Sequence, residues 1–263
     1  MIIDIQLNTA KSTWSELRDQ AQACEAHGFG GIWVWDHLSG ATMGGGHTMS
    51  DCFTLLGALA VVTTSIHIGP MVANVQNRHA ALLANAAATL QNIADGRLLL
   101  GLGSGGGPTS PFTAEHRNAN VALLPTLAQR HELLAHNLDT MDALWADDRA
   151  DTYAGFPRPV VTPPRIVGVN SEPLARLAGR RAEGVNVRGQ SDNVRELLEA
   201  ARSEAGSRPF ISTGWLPFDD EHLDPSHPLR ERVGDLDRLI FVAFQPTDPR
   251  AIAAAAKRLG TST

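Results

Sequence analysis

Gly31-Ile-Trp-Val-Trp35, followed at once by Asp36-His37, is a short apolar run with no polar residue alternating through it. Such a run reads as a β-strand covered on both faces, the habit of parallel sheets flanked by helices. Upstream, Trp14, Leu17, Ala21 and Cys24 recur at spacings of three, four and three. That period predicts an amphipathic helix, with Ser12 or Thr13 as its cap. Before it, Ile2–Leu7 is another apolar run, so the chain opens strand, helix, strand. The alternation continues through Ile66–Val72, Arg97–Leu102, Arg165–Val169, Gly184–Val187, Pro209–Thr213 and Leu239–Ala243. Helical stretches separate them, among them the stripe Leu134, Leu138, Met141, Trp145 and, after the last run, an alanine-rich segment from Ile252 to Leu259.

Eight strands alternating with helices predict an α/β fold, a (β/α)8 TIM barrel forming a single domain over residues 1–263. An open doubly wound sheet is the competing architecture. The chain's 263 residues suit one barrel, commonly about 250 residues. The least regular stretch, Leu216 to Asp237, is rich in Pro, Asp and His; it predicts a poorly formed seventh helix, or a loop over the barrel mouth.

Composition narrows the function. The formal net charge is −6 with both signs interspersed, so neither nucleic acid nor a membrane surface is an expected partner. No apolar run approaches about 18 residues, and the N-terminus lacks the basic segment of a signal peptide. Cys24 and Cys52 stand far apart without a CxxC, which predicts two buried thiols in a reducing cytoplasm. The ten histidines are scattered, and His131 and His136 are five apart, so no metal site is expected.

In a barrel of this kind, chemistry sits at the carboxyl ends of the strands. Asp36 and His37 end the second strand; an acid beside an imidazole can hold a polar ligand edge and exchange a proton, or Asp36 can cap the turn while His37 packs passively. Beyond the third strand, Asn74 and Asn77 offer amides, and Arg78 offers a cation for an anionic group or for a structural carboxylate. The fourth strand opens into Gly103-Ser-Gly-Gly-Gly107. Gly101-x-Gly103-x-x-Gly106 formally matches a dinucleotide fingerprint. It lies mid-chain, however, and Pro108 and Pro111 interrupt any helix after it, so either a seat for a flat ring or a flexible loop is expected. After the fifth strand, Asn170-Ser-Glu-Pro173 starts a helix whose free amides suit a phosphate, or simply form a capped terminus.

Taken together these segments resemble the bacterial luciferase-like monooxygenases, and more closely their branch using the deazaflavin coenzyme F420. The resemblance runs from Ala21 to about Asn186. It is carried by Glu25-Ala-His-Gly-Phe-Gly-Gly-Ile-Trp-Val-Trp-Asp-His37, Asn77-Arg-His-Ala-Ala, Ala88-Thr-Leu-Gln-Asn-Ile-Ala-Asp-Gly-Arg-Leu-Leu-Leu-Gly-Leu-Gly-Ser-Gly105, Met141-Asp-Ala-Leu-Trp145 and Leu174-Ala-Arg-Leu-Ala-Gly-Arg-Arg-Ala-Glu-Gly-Val-Asn186. It implies an oxidoreductase that binds F420, with FMN as the alternative, and that moves a hydride to or from a small organic substrate. A monooxygenase or a non-catalytic flavin-binding relative are the competing functions. By resemblance His37 is the proton-transfer residue and, with Asp36, lies beside the ring. Met71-Val72 is a bulge with a cis non-proline peptide behind the ring, Asn74, Ser104 and Gly105 touch the cofactor, and Val169, Asn170, Ser171 and Glu172 receive its phosphate and tail. Gly106 stands where sugar-oxidising relatives carry a glutamate, which predicts that the acid partner of the histidine is missing. Shortened loops predict an open pocket and a homodimer.

Overall fold

The computed structural model describes residues 1–43 and 47–261. Its strands are β1 (Ile2–Gln6), β2 (Gly31–Val34), β3 (His67–Pro70), β4 (Ala73–Asn74), β5 (Leu100–Gly103), β6 (Arg165–Val169), β7 (Gly184–Arg188), β8 (Ile211–Pro217) and β9 (Arg238–Val242). They pair in parallel in the order β3-β2-β1-β9-β8-β7-β6-β5-β4. The sheet closes where the Ile68 amide donates to the Arg97 carbonyl (3.1 Å) and the Leu99 amide donates to the Ile68 carbonyl (2.9 Å). β3 and β4 are thus one barrel strand in two pieces, separated by the cis peptide Met71-Val72. The result is the eight-stranded closed cylinder expected from the alternation, and the open sheet is excluded.

The continuous apolar run of β2 now has a cause. Trp33 points into the cylinder, where it packs with Leu99, Ile166 and Ile240. Ile32 and Val34 belong to the layer between strands and helices. Trp33 Nε1 donates to Asp4 Oδ2 (2.9 Å), and Asp4 also receives two bonds from Arg238, both 2.8 Å. Arg238 and Asp4 are both buried, so each charge is compensated where water cannot reach it. Gly31 leaves room for this pair: a Cβ there would press on Asp4 and on the Arg238 guanidinium, each at 3.1 Å.

The helices are α1 (Trp14–Ala26), α2 (Cys52–Val62), α3 (Ala80–Ile93), α4 (Ala114–Asn118), α5 (Leu127–Trp145), α6 (Glu172–Arg181), α7 (Val194–Ala205), α8 (Pro228–Arg232) and α9 (Pro249–Leu259). Thr13, not Ser12, caps α1, in a reciprocal pair with Glu16. Cys24 and Cys52 are free and buried. Between β8 and β9 only the short α8 forms, as the Pro- and Asp-rich composition predicted. No residue from Leu216 to Asp237 lines the mouth cavities, so the segment is not a cover over the pocket. No helix among the described residues is long and apolar enough to cross a membrane.

Candidate active site

Two adjoining cavities, of about 610 and 310 Å³, open at the carboxyl ends of the strands. Gln6 from β1, Trp35 and His37 after β2, Met71 and Val72, Gly103 to Gly105, Gly168 to Asn170, Asn186 and Arg188, Trp215, and Val242 with Phe244 line the larger one. Asp36, Asn74, Phe112, Glu115 and His116 join the lining of the smaller. Most of the expected site residues therefore converge: Asp36, His37, Met71, Val72, Asn74, Ser104, Gly105, Val169 and Asn170. Ser171 and Glu172 do not line either cavity. The Glu172 carboxylate turns along its own helix to Arg176 (2.8 Å), the ordinary fate of an acid four residues before an arginine.

His37 Nδ1 lies 2.9 Å from Glu115 Oε1, and the other oxygen of Glu115 accepts from the amides of Leu38 and Ser39, both at 2.9 Å. The Glu115 side chain is 1% exposed and that of His37 25%, so the acid is enclosed while the imidazole faces the cavity. Burial alone would raise the Glu115 pKa. The hydrogen bond and charge of His37, with the Ser39 amide and the nearby His116, outweigh it and hold the carboxyl below its ordinary value. This corrects the expectation of a missing acid partner. Position 106 is indeed glycine, but the chain brings its carboxylate from α4 beyond the glycine turn. The signal was present as Glu115-His116 in a short acidic-then-basic segment, hidden by the Gly- and Pro-rich loop before it.

His116 is buried beside this pair. Its Nε2 lies 2.7 Å from Asn77 Oδ1, its Nδ1 has no hydrogen-bond partner, and burial lowers its pKa, which favours the neutral ring.

Asp36 takes the structural course. Its Oδ2 accepts from the Asn74 amide (2.8 Å) and from Arg78 Nη1 (2.7 Å), and Arg78 continues to Asp51 (3.0 Å). Arg78 is thus bound to carboxylates of the protein. Through Oδ2 Asp36 pins the end of β2 to β4, while the residue also lines the smaller cavity. Asn74 Oδ1 accepts from the Gln76 amide (3.0 Å), and Gln76 Nε2 donates to the carbonyls of Ser104 (3.3 Å) and Gly106 (3.0 Å). This network sets the glycine turn; Gly105 has φ +73, and a Cβ there would overlap the Asn74 and Gln76 side chains. Gly103 is likewise required, because a Cβ would collide with a Val72 methyl.

The family model for luciferase-like monooxygenases matches residues 3–211. The chain belongs to the luciferase-like monooxygenase family. Similar curated proteins include an F420-dependent glucose-6-phosphate dehydrogenase from Nakamurella multipartita, 31% identical over 65% of this chain and 51% of that protein. An F420-dependent hydroxymycolic acid dehydrogenase from Mycobacterium tuberculosis is 30% identical over 74% of this chain and 55% of that one. The chain spans about half the length of these curated relatives. Among solved structures, an F420-dependent secondary alcohol dehydrogenase superposes with a TM-score of 0.78 at 15% identity, covering 99% of this chain and 98% of that one. The coenzyme F420-dependent tetrahydromethanopterin reductase of Methanopyrus kandleri gives 0.69 at 13% identity, covering 98% of this chain and 99% of that one. At such identities these superpositions establish the shared barrel.

Proposed function

We propose that this luciferase-like barrel is an oxidoreductase that uses coenzyme F420 to move a hydride to or from a small organic substrate. The observation that carries the reading is the His37–Glu115 pair, set at the mouth beside the Met71-Val72 step and the glycine-lined wall of Gly103 to Gly105. The donor set fits a deazaflavin with a phosphate tail. Val72 and the glycines present a flat apolar wall, and Asn170 leads to α6, whose cap residue Ser171 makes no side-chain cap bond. Asn170 lines the larger cavity, so the free amides of the first turn of α6 would hold the phosphate. When bound, the deazaflavin supplies the hydride chemistry. The protein does the rest. Glu115 fixes the imidazole through Nδ1, which leaves His37 Nε2 to give or take the substrate's proton, and the apolar wall keeps water from that step.

FMN is the second occupant that such a wall admits, because a carboxylate such as Asp36 only accepts hydrogen bonds and does not by itself choose between the two rings. Calorimetric titration with F420 and with FMN tests the reading; tight binding of F420 is expected, and preference for FMN would move the function to a flavin enzyme. His37→Ala should keep F420 affinity within about twofold and slow F420-coupled turnover by about 10²–10⁴-fold. Unchanged turnover would remove His37 from the reaction.

The reading includes a homodimer in the cytoplasm, where the two unpaired thiols suit a reducing medium. On α3, Leu82, Ala86, Thr89 and Ile93 form an uncharged outer stripe, with Leu82 64% and Ile93 50% exposed and Val61 of α2 71% exposed. A second copy covering this face would bury it. Light scattering should give twice the chain mass, falling to one chain mass in Leu82→Glu; a wild-type monomer would refute the pairing.

A further inference from the structure

The larger cavity has two unlike walls. The wall from Val72 through Gly105 to Gly168 is mostly glycine around the Val72 side chain; the wall from β7 to β9 and the end of β2 is built of larger side chains. On that second wall, Trp35 and Phe244 have ring centroids 6.4 Å apart, and Trp215 and Phe244 6.2 Å apart, so three aromatic rings form one continuous surface. Arg188, at the end of β7, lays its guanidinium over the Trp215 ring, 5.3 Å from the centroid. Its Nε and Nη2 reach Gln190 Oε1 at 3.3 and 3.1 Å. Among the described residues lining this cavity, Arg188 is the one Lys or Arg, no Asp or Glu is present, and no carboxylate pairs with it. This is the reverse of Arg78, whose charge is matched twice within the protein.

A planar guanidinium held over an aromatic ring, with donors left over, is suited to a carboxylate. We propose that Arg188 and the Trp35–Phe244–Trp215 surface select the substrate as a flat, conjugated or aromatic acid. Its carboxylate pairs with Arg188, and its apolar body lies along the three rings, next to His37. This substrate class rests on the F420 reading proposed above. The cofactor's phosphate is the other anion within reach of this mouth, but the β6–α6 turn at Asn170 offers it a separate seat.

The test is calorimetry on the whole chain. F420 is titrated first; then benzoate, trans-cinnamate and 2-naphthoate are each compared with their neutral amides, with F420 present. At least one acid should bind about tenfold tighter than its amide. Arg188→Gln should abolish that preference while binding F420 within about twofold of wild type, and Arg188→Lys should restore part of it. Arg188 is exposed at a strand end, so unchanged thermal melting is expected of both variants. Equal binding of acids and amides by wild type, or a preference surviving in Arg188→Gln, would overturn the proposal. So would a loss of F420 affinity as large as the loss of acid affinity, which would assign Arg188 to the cofactor tail. If wild type fails to bind F420, the function reading falls by itself. The acid–amide comparison on cofactor-free protein then still decides the role of Arg188.

Discussion

Glu115→Gln is expected to reduce F420-coupled turnover by about 10²–10⁴-fold while leaving the barrel folded. Glutamine is nearly isosteric, and its amide oxygen can still accept from Leu38 or Ser39, so the loop keeps most of its ties. What is lost is the anion that holds His37 Nδ1 as a donor and so keeps Nε2 free for the substrate. Nitrogen-15 NMR of the histidines should show one dominant His37 tautomer in wild type and a mixture in the variant. Acid should act in a defined direction. Because the folded carboxyl of Glu115 is held below its unfolded value, its stabilisation is full above the ordinary carboxylate range and is lost as pH falls through the lowered folded pKa. The stability margin of wild type over Glu115→Gln should therefore narrow on acidification. Equal turnover in the two proteins would show that the pair does not serve the reaction.

Arg78→Met carries the largest expected cost to stability, about 3–5 kcal/mol. The Asp36 side chain is 2% exposed, and Arg78 is its charge partner at 2.7 Å. Methionine would leave the carboxylate buried with the Asn74 amide as its one short hydrogen bond. The variant also loses the guanidinium's place over Phe53, 5.1 Å from the ring centroid. Urea unfolding measures the loss directly. The double variant Asp36→Asn, Arg78→Met should recover part of it, because the unpaired charge goes with the aspartate. A loss under about 1 kcal/mol in Arg78→Met would mean that Asp36 is not held as described. Since Asp36 ties the end of β2 to β4, F420 affinity should fall with stability in this variant.

Both residues show what the amino-acid order made legible. The strands were readable because each is wrapped by barrel interior on one side and helices on the other, so Trp33 and Val34 are apolar for different reasons but in one run. The break in the third strand at Met71-Val72 came from resemblance, since nothing in the local pattern of an apolar run marks it. Asp36 and Arg78 each admitted a structural and a ligand role from sequence; their 2.7 Å contact shows the structural one. Glu115 escaped because a loop of three glycines and two prolines separates it from β5, and loop path is set by long-range contacts such as its bonds to Leu38 and Ser39. Arg188 ends β7 and Phe244 follows β9, two strands read in place, whereas Trp215 lies within β8, which runs to Pro217, past the Thr213 end expected for it. Extending the rule that strand ends carry the chemistry would have found Arg188 and Phe244.

The central claim is that His37, the Met71-Val72 step, the glycine wall and the Asn170 turn surround one planar redox ring. A crystal structure of the protein soaked or co-crystallised with F420 tests it most directly. The ring should lie between Val72 and the aromatic surface with His37 Nε2 facing the reacting edge, and the phosphate should rest on the first turn of α6. A ring bound away from His37, or crystals grown at saturating F420 that hold none at this mouth, would contradict the account.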